Sequence, residues 1–425
     1  VALDVSPQAT AEFVIPVTVT VGKPGVEYFV HFSVVTRQAE PLIPIGHEIA
    51  QEQFRLPLET EKDSYEASGK ALGWKAENGK VVVSSSNVYF ELDKATGMVT
   101  SYKVNGTEFF DKAFGVQPNF WRAPNDNDYG NSNPKRLQIW KESSRDFKVS
   151  DTAVREEGET VLMSVTYDLP AGNQYLITYR IYRDGVVNVN VKFTQTDREA
   201  EKTEVLEDTN LATFTPGKKV KKKDVLEVPR IGVRFRIPHV MNRVEYFGRG
   251  PVENYVDRNA GSMVGRYKTS VEEMYVNYVR PQENGHRTDT RWVSFTNTAG
   301  RGLLVLAEKT IGFNALRNTV EDFDSEESSH PYQWRNRSSK EVAGKNEAEA
   351  KNVLRRMTHV NDITPRDFVE VCIDMKQQGV AGYDSWGAKV QPGYTIPASR
   401  DYVWGFTLIP IKNVGDVNKS LRYTY

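Results

Sequence analysis

Asp126 and Asp128 stand two residues apart in the run NFWRAPNDNDYG (residues 119–130), beside Asn125 and Asn127. Carboxylates and amides at that density could ligate calcium, act as an acid/base pair, or close a turn. An EF-hand loop takes ligands from positions one, three and five, glycine at six and glutamate at twelve. Counted from Asp126, position five is Gly130 and position twelve is Leu137. Counted from Asn125, Gly130 falls at six, but Tyr129 stands at five and Arg136 at twelve. Both registers fail, which leaves a cation site built on carbonyls as the remaining metal reading. Glycoside hydrolysis needs two carboxyls about 5–10 Å apart on opposite sides of a sugar. Residues two apart on one loop rarely achieve that. The favoured reading is a turn network in which Asn and Asp side chains engage nearby backbone N–H groups.

Elsewhere the titratable residues carry no metal signature. The six histidines, at 31, 47, 239, 286, 330 and 359, lack ligand spacing, and His286 is the one in a motif worth probing. Cys372 is the single cysteine, so neither an intrachain disulfide nor a cysteine-based zinc site can form. With 55 basic and 56 acidic residues the net charge is -1, which argues against an extended nucleic-acid footprint. The lysines at 218, 219, 221, 222 and 223 read as a solvated loop. No apolar run approaches the roughly 20 residues that span a bilayer, so no membrane partner is expected. The chain opens VALDVSPQATAEF, without Met or a signal-like apolar stretch, and reads as cut from something longer.

The elements that must position these residues are strands. A length of 425 residues, with 39% hydrophobic and 11% aromatic content, allows two or three domains and a sizeable core. Residues 1–58 alternate in short runs. AEFVIPVTVTV and VEYFVHFSVVT flank GKPG as a predicted hairpin, with Val26, Phe29 and Phe32 through Val35 on its buried face. That length predicts a small β-sandwich. Residues 59–79 are charged, lack β periodicity and read as a linker. From residue 80 to 425 alternation resumes around the turn signals KATG, VNG, PAGN and RDG, predicting a large β-supersandwich. Two helices are expected. One is PKRLQIWKES, with Asn133 as N-cap and Pro134 in the first turn; the other lies near Ser338 to Met357.

FWRAPNDNDYG resembles the start of the last domain of the multidomain β-galactosidases of glycoside hydrolase family two. So do YFGRGPVENYVDRNAG (246–261), VRPQENGHRTDTRWVSF (279–295) and MKQQGVAGYDSWG (375–387). PLIPIGHEIAQEQFRLP (41–57) is similar to the immunoglobulin-like domain that precedes it. The resemblance covers essentially the whole chain. It implies an all-β protein: an immunoglobulin-like β-sandwich followed by a supersandwich like that of galactose mutarotases. It also implies a galactoside substrate and a partner barrel domain in the same polypeptide. That barrel holds both catalytic glutamates and the magnesium and sodium sites, so no catalytic residue, metal or other cofactor is expected in this chain. A barrel needs about 250 residues of alternating strand and helix, and no such run occurs here. Homo-oligomerisation stays open.

The resemblance places Trp386 of GYDSWG at the mouth of the barrel's active site as a platform for the sugar. An indole offers a broad apolar face to the C–H side of a pyranose. Asp384, Asn125, Asp126 and His286 are weaker substrate-binding candidates. Residues 125–133 are expected to border the same mouth, with Gly130 as hinge of a mobile segment. Arg249, Glu253, Asn254, Arg280, Glu283, Asn284 and Arg287 could line a sugar-binding face or form a buried polar network, and the network is favoured. Two alternatives remain at this point: an autonomous carbohydrate-binding module, or a purely structural or oligomerisation module.

Overall fold

The computed structural model describes residues 4–16, 18, 22–170, 172–195, 227–324, 359–384 and 387–425. The lysines at 218–223 and the helix expected near Ser338 to Met357 lie outside the described residues. The chain divides into two units, Val1–Tyr65 with Leu421–Thr424, and Glu66–Ser420 with Tyr425.

In the first unit β1 (Tyr28–Val35) pairs antiparallel with β2 (Glu48–Leu56). A short β3 (Asp63–Ser64) runs parallel to Tyr423–Thr424. The partner of β1 is therefore β2 and not the segment across GKPG, whose described residues 11–16 and 18 carry no strand. The face expected to be buried is open as well: Val26, Val34 and Val35 are exposed, and Phe29 and Phe32 are half-buried. A sheet buries a face only against a second layer, and β1 with β2 forms one layer.

The second unit contains two sheets. Five strands form an antiparallel meander: β4 (Gly73–Glu77), β5 (Lys80–Ser84), β6 (Val88–Asp93), β7 (Val99–Val104) and β8 (Thr107–Glu108). Two strands, β3 and β4, thus fall within the stretch read as a linker. Among the described residues the larger sheet has twelve strands. It comprises β9 (Gln117–Asn119), β10 (Lys148–Glu157), β11 (Thr160–Asp168), β12 (Gln174–Ile181), β13 (Val187–Thr194) and β14 (Arg230–Pro238). β15 (Arg243–Gly250), β16 (Met263–Ser270), β17 (Arg287–Thr296), β18 (Gly302–Leu316), β19 (Phe368–Gln377) and β20 (Tyr402–Ile411) complete it. Its main path is β10-β11-β12-β13-β20-β18-β17-β15-β16. The sheet branches at β18, whose first half pairs with β20 and whose second half pairs with β19. β19 in turn pairs with β14, and β14 with β9.

The two sheets share one core. β6 alternates buried and half-buried residues, as a strand with one covered face must. β14 and β19 are buried almost throughout, because both of their faces are covered. Phe90 of β6 lies 5.5 Å from Tyr179 of β12, ring to ring. The Tyr102 hydroxyl donates to the carbonyl of Gly185, and the Tyr167 hydroxyl to that of Gly97. Gly97 closes the KATG turn at φ +73°, and a Cβ there would stand 2.6 Å from the Tyr167 ring. The turn therefore needs glycine for its conformation and for this approach.

After β9, Phe120 and Trp121 plunge into the core, and three short helices follow: α1 (Asp126–Gly130), α2 (Asn133–Arg136) and α3 (Gln138–Ser143). This corrects two expectations. The polar stretch before Gly130 is a helical turn rather than a loop. The N-cap of the next helix is Ser132, in the left-handed region at φ 61°, with Asn133 as first helical residue. The Asn133 side chain reaches back to α1 instead, its NH2 group donating to Asp128 Oδ1 at 2.8 Å.

Phe120 is fully buried, with ring centroids of Tyr175, Trp140 and Phe193 at 4.9, 5.8 and 5.9 Å. Phe120→Ala removes that ring from three aromatic neighbours. It is expected to lower unfolding stability by about 3–5 kcal/mol, read by urea denaturation.

Candidate functional site

The sequence-predicted residues Asn125, Asp126, Gly130 and Asp384 lie on two segments that touch: α1 with its flanks, and residues 378–384 with 387–388 beyond the end of β19. Asn125 caps α1. Its side chain accepts from Asp128 N at 2.9 Å, and Asp128 Oδ2 accepts from Asn125 N at 3.1 Å. Asp128 is spent on this box and on Arg122, whose Nη2 donates to both carboxylate oxygens at 3.0 and 3.1 Å. Both side chains are 2% exposed, so Asp128 is structural. Asp126 differs: its side chain is 74% exposed, with Arg280 Nη1 at 3.4 Å. The Arg280 guanidinium lies 3.9 Å from the centre of the Tyr129 ring, a cation–π contact that holds the arginine over α1.

The second segment is held by five side chains from elsewhere in the chain. Arg122 Nη1 donates to the Gln378 carbonyl at 2.9 Å. The amides of Asn125 and Asn127 both donate to the Val380 carbonyl, at 3.2 and 3.3 Å. The Asp257 carboxylate accepts from Val380 N at 3.0 Å and Ala381 N at 2.9 Å. Asn131 Nδ2 donates to Ala388 O at 3.4 Å. Where the segments cross, glycine faces glycine: a Cβ on Gly387 would stand 2.4 Å from Gly130 Cα. Asp384 is exposed and accepts from Ala388 N at 3.1 Å, closing the tip of the segment. Tyr383 is 63% exposed, with its hydroxyl donating to Lys389 O at 3.0 Å. Trp386 lies outside the described residues. Sequence reading missed Asp257 and Tyr383. Both stood in quoted motifs, Tyr383 as an aromatic beside Asp384 and Asp257 within 246–261, but Asp257 acts on backbone amides, which leave no side-chain signature.

His286 belongs to a different place. It is buried, stacked on Tyr255 at 5.5 Å, with Nδ1 3.8 Å from Asp374 Oδ2. Burial, helped by the Arg230, Arg287 and Arg122 charges, pushes its pKa well below the usual histidine value, so the ring is neutral. Enclosed in this way it presents no face to a sugar. Of the motif residues, Asn254, Glu283, Asn284 and Arg287 are buried in the network that sequence favoured, whereas Arg249 is half-buried and Arg280 stands over α1. Arg230, fully buried, donates to Glu283 Oε1 at 2.8 Å and Gln377 Oε1 at 2.5 Å, and its Nε is 3.2 Å from Asp374 Oδ2. Glu253 accepts from Arg258, Tyr278 and the Gly285 N–H. Asn254 Oδ1 accepts from Thr288 N at 2.9 Å, and Arg249 Nε donates to Asp289 at 2.6 Å. Among the described residues no group of three His, Cys, Asp or Glu is placed to hold a metal, and no helix is long and apolar enough to cross a membrane.

Residues 84–408 match the family model described as "Beta galactosidase small chain", and residues 1–57 the model described as "Beta-galactosidase, domain 4". A β-galactosidase of Priestia megaterium is 31% identical over 368 residues, covering 86% of this chain and 30% of that protein. One from Streptococcus thermophilus is 28% identical over 411 residues, covering 96% of this chain and 34% of its own length. The chain thus spans about a third of the length of the curated relatives it matches. A galactose mutarotase-like protein from Lactobacillus casei aligns with 78% of this chain and 100% of its own, at 11% identity and a TM-score of 0.35.

Asp374 makes the buried network sensitive to pH. Burial pushes its carboxyl up to about 7, against the opposing pull of Arg230 and with added push from Glu283. The folded protein holds this proton more tightly than the unfolded chain, whose aspartate releases it near about pH 4. The resulting stabilisation is full below about pH 4 and is lost as pH rises through about 7. Urea midpoints measured between about pH 4 and about pH 7.5 are expected to fall less steeply in Asp374→Asn than in the wild type. Equal slopes would show that Asp374 titrates alike in both states.

Proposed function

The chain belongs to the β-galactosidase small-chain family, and on that premise we propose that it serves as the C-terminal, non-catalytic part of a β-galactosidase. That enzyme releases terminal non-reducing β-D-galactose from β-D-galactosides with retention. The observation that carries the reading is the order of the two matches. Domain 4 of a β-galactosidase comes first, over residues 1–57, and the small chain follows over 84–408.

Retention requires a nucleophile and an acid/base carboxyl about 5–5.5 Å apart across the glycosidic bond. In this reading both belong to the barrel domain of the same polypeptide, together with its magnesium and sodium. The exposed carboxylate of α1, Asp126, has as its neighbour Asp128, which is locked to Arg122 and unavailable for proton transfer. What this chain supplies is a rim. Trp386 offers an indole face to the apolar side of galactose, and Asp384 and Asp126 supply polar groups around it; Asn125, expected from sequence to join them, is buried with its side chain spent on Asp128 N and Val380 O and holds the rim instead. Support comes from the geometry of the flanks: α1 and residues 378–384 are tied together by Arg122, Asn125 and Asn127. A rim held in this way contributes to binding rather than to bond breaking, so its loss weakens KM before kcat.

The 425-residue chain alone is expected to give no turnover of nitrophenyl β-D-galactoside, and measurable turnover would overturn the division of labour. In the intact polypeptide with its barrel, Trp386→Ala is expected to raise KM on the order of tenfold, the equivalent of about 1.4 kcal/mol. Unchanged KM and kcat would leave the loop a structural element only.

A further inference from the structure

Beyond Gln377 the chain leaves β19 and no longer has a ladder to fix its position. Its place is set instead by single hydrogen bonds, and these can be followed peptide by peptide. Gln378 N donates to Pro229 O at 2.9 Å and Gly379 N to Tyr394 O at 3.0 Å. The next two N–H groups, of Val380 and Ala381, both go to the Asp257 carboxylate, one to each oxygen. Asp257 also fills the space beside Gly379, where a Cβ would stand 2.3 Å from its Oδ2. Immediately after this grip the backbone turns through Ala381 at φ 57° and Gly382 at φ 103°, and then presents Tyr383 and Asp384 outward. An alanine in the left-handed region is disfavoured by contact between its Cβ and the backbone. A charge-assisted pair of hydrogen bonds, each about twice as strong as a neutral one, is placed to hold it there.

We propose that Asp257 is a positioning residue for galactoside binding. From a distant part of the chain it sets where the loop carrying Tyr383 and Asp384 stands. The inference rests on the galactosidase reading above and deepens it. The two edges of the gripped segment are held unequally. On the carbonyl edge Asn125 and Asn127 bond the same oxygen, so losing one leaves the other. On the N–H edge Asp257 alone serves two consecutive amides. Its removal therefore frees both peptides at the point where the chain turns outward.

The test uses Asp257→Ala and the isosteric Asp257→Asn, whose NH2 group would face an N–H donor. In the 425-residue chain, amide exchange at Val380 and Ala381 is expected to accelerate at least about tenfold in both variants, with the β14 and β19 amides unchanged. In the intact galactosidase polypeptide, KM is expected to rise on the order of tenfold while kcat stays within about threefold. Asn127→Ala is expected to move KM less than Asp257→Ala. An active wild type with faster exchange but unchanged KM in Asp257→Ala would overturn the positioning role. So would unchanged exchange, or a fall in kcat as large as the rise in KM. An inactive wild-type polypeptide would instead remove the galactosidase reading, and the inference with it.

Discussion

A guanidinium with no exposed surface sits at the start of β14, and much of the larger sheet is arranged around it. Arg230 joins β19 through Gln377 and Asp374, the segment before β17 through Glu283, and the chain after β9 through the carbonyl of Trp121 at 3.3 Å. Taking a full charge out of water is costly. A buried ion pair gains little over a well-packed apolar pair, yet removing one partner costs about 3–5 kcal/mol. Arg230 consequently penalises any displacement of the elements it joins. The network specifies one arrangement of β14, β19 and the 279–286 segment more than it adds net stability.

From this centre the constraint passes outward through residues adjacent in sequence. Trp121 donates its indole N–H to Asp324 at 2.7 Å, and Phe120 is wedged among three aromatic rings. Between them they fix the backbone that delivers Arg122. Arg122 repeats the device of Arg230 closer to the surface, with one nitrogen on Asp128 of α1 and another on the carbonyl of Gln378. The candidate rim is thus the outer end of a chain of buried polar contacts that begins in the sheet.

What the sequence made legible follows the range of the forces involved. KATG, VNG, PAGN and RDG each fall between paired strands, because glycine, asparagine and aspartate fix a turn within a few residues. The buried network was legible at QENG, where Glu283, Asn284 and Arg287 are buried, but not at RGP, where Arg249 is half-buried and Pro251 exposed. The helix α1 was not legible either: Asp, Asn and Gly are poor helix formers, and DNDYG is held in a helical turn by a capping box and by Arg122 and Arg280. The open face of β1 escaped the reading too, since alternation reports which residues share a face and not whether a second layer covers it. Asp257 was the least legible of all. Its partners are backbone amides 123 and 124 residues away.

Gly130, expected from sequence to be a hinge, meets Gly387 where the two segments cross. Gly130 ends α1, and Gly387 packs on it so closely that a Cβ on Gly387 would stand 2.4 Å from Gly130 Cα. Any rotation at Gly130 must carry the 387–388 backbone with it, through that contact and through Asn131 on Ala388. The same rotation would pull Asn127 from Val380, while Asp257 holds Val380 from its other edge. Displacing α1 or residues 380–384 therefore means a joint displacement of two segments against one carboxylate, and the stiffness of that carboxylate's grip limits how far either segment can travel.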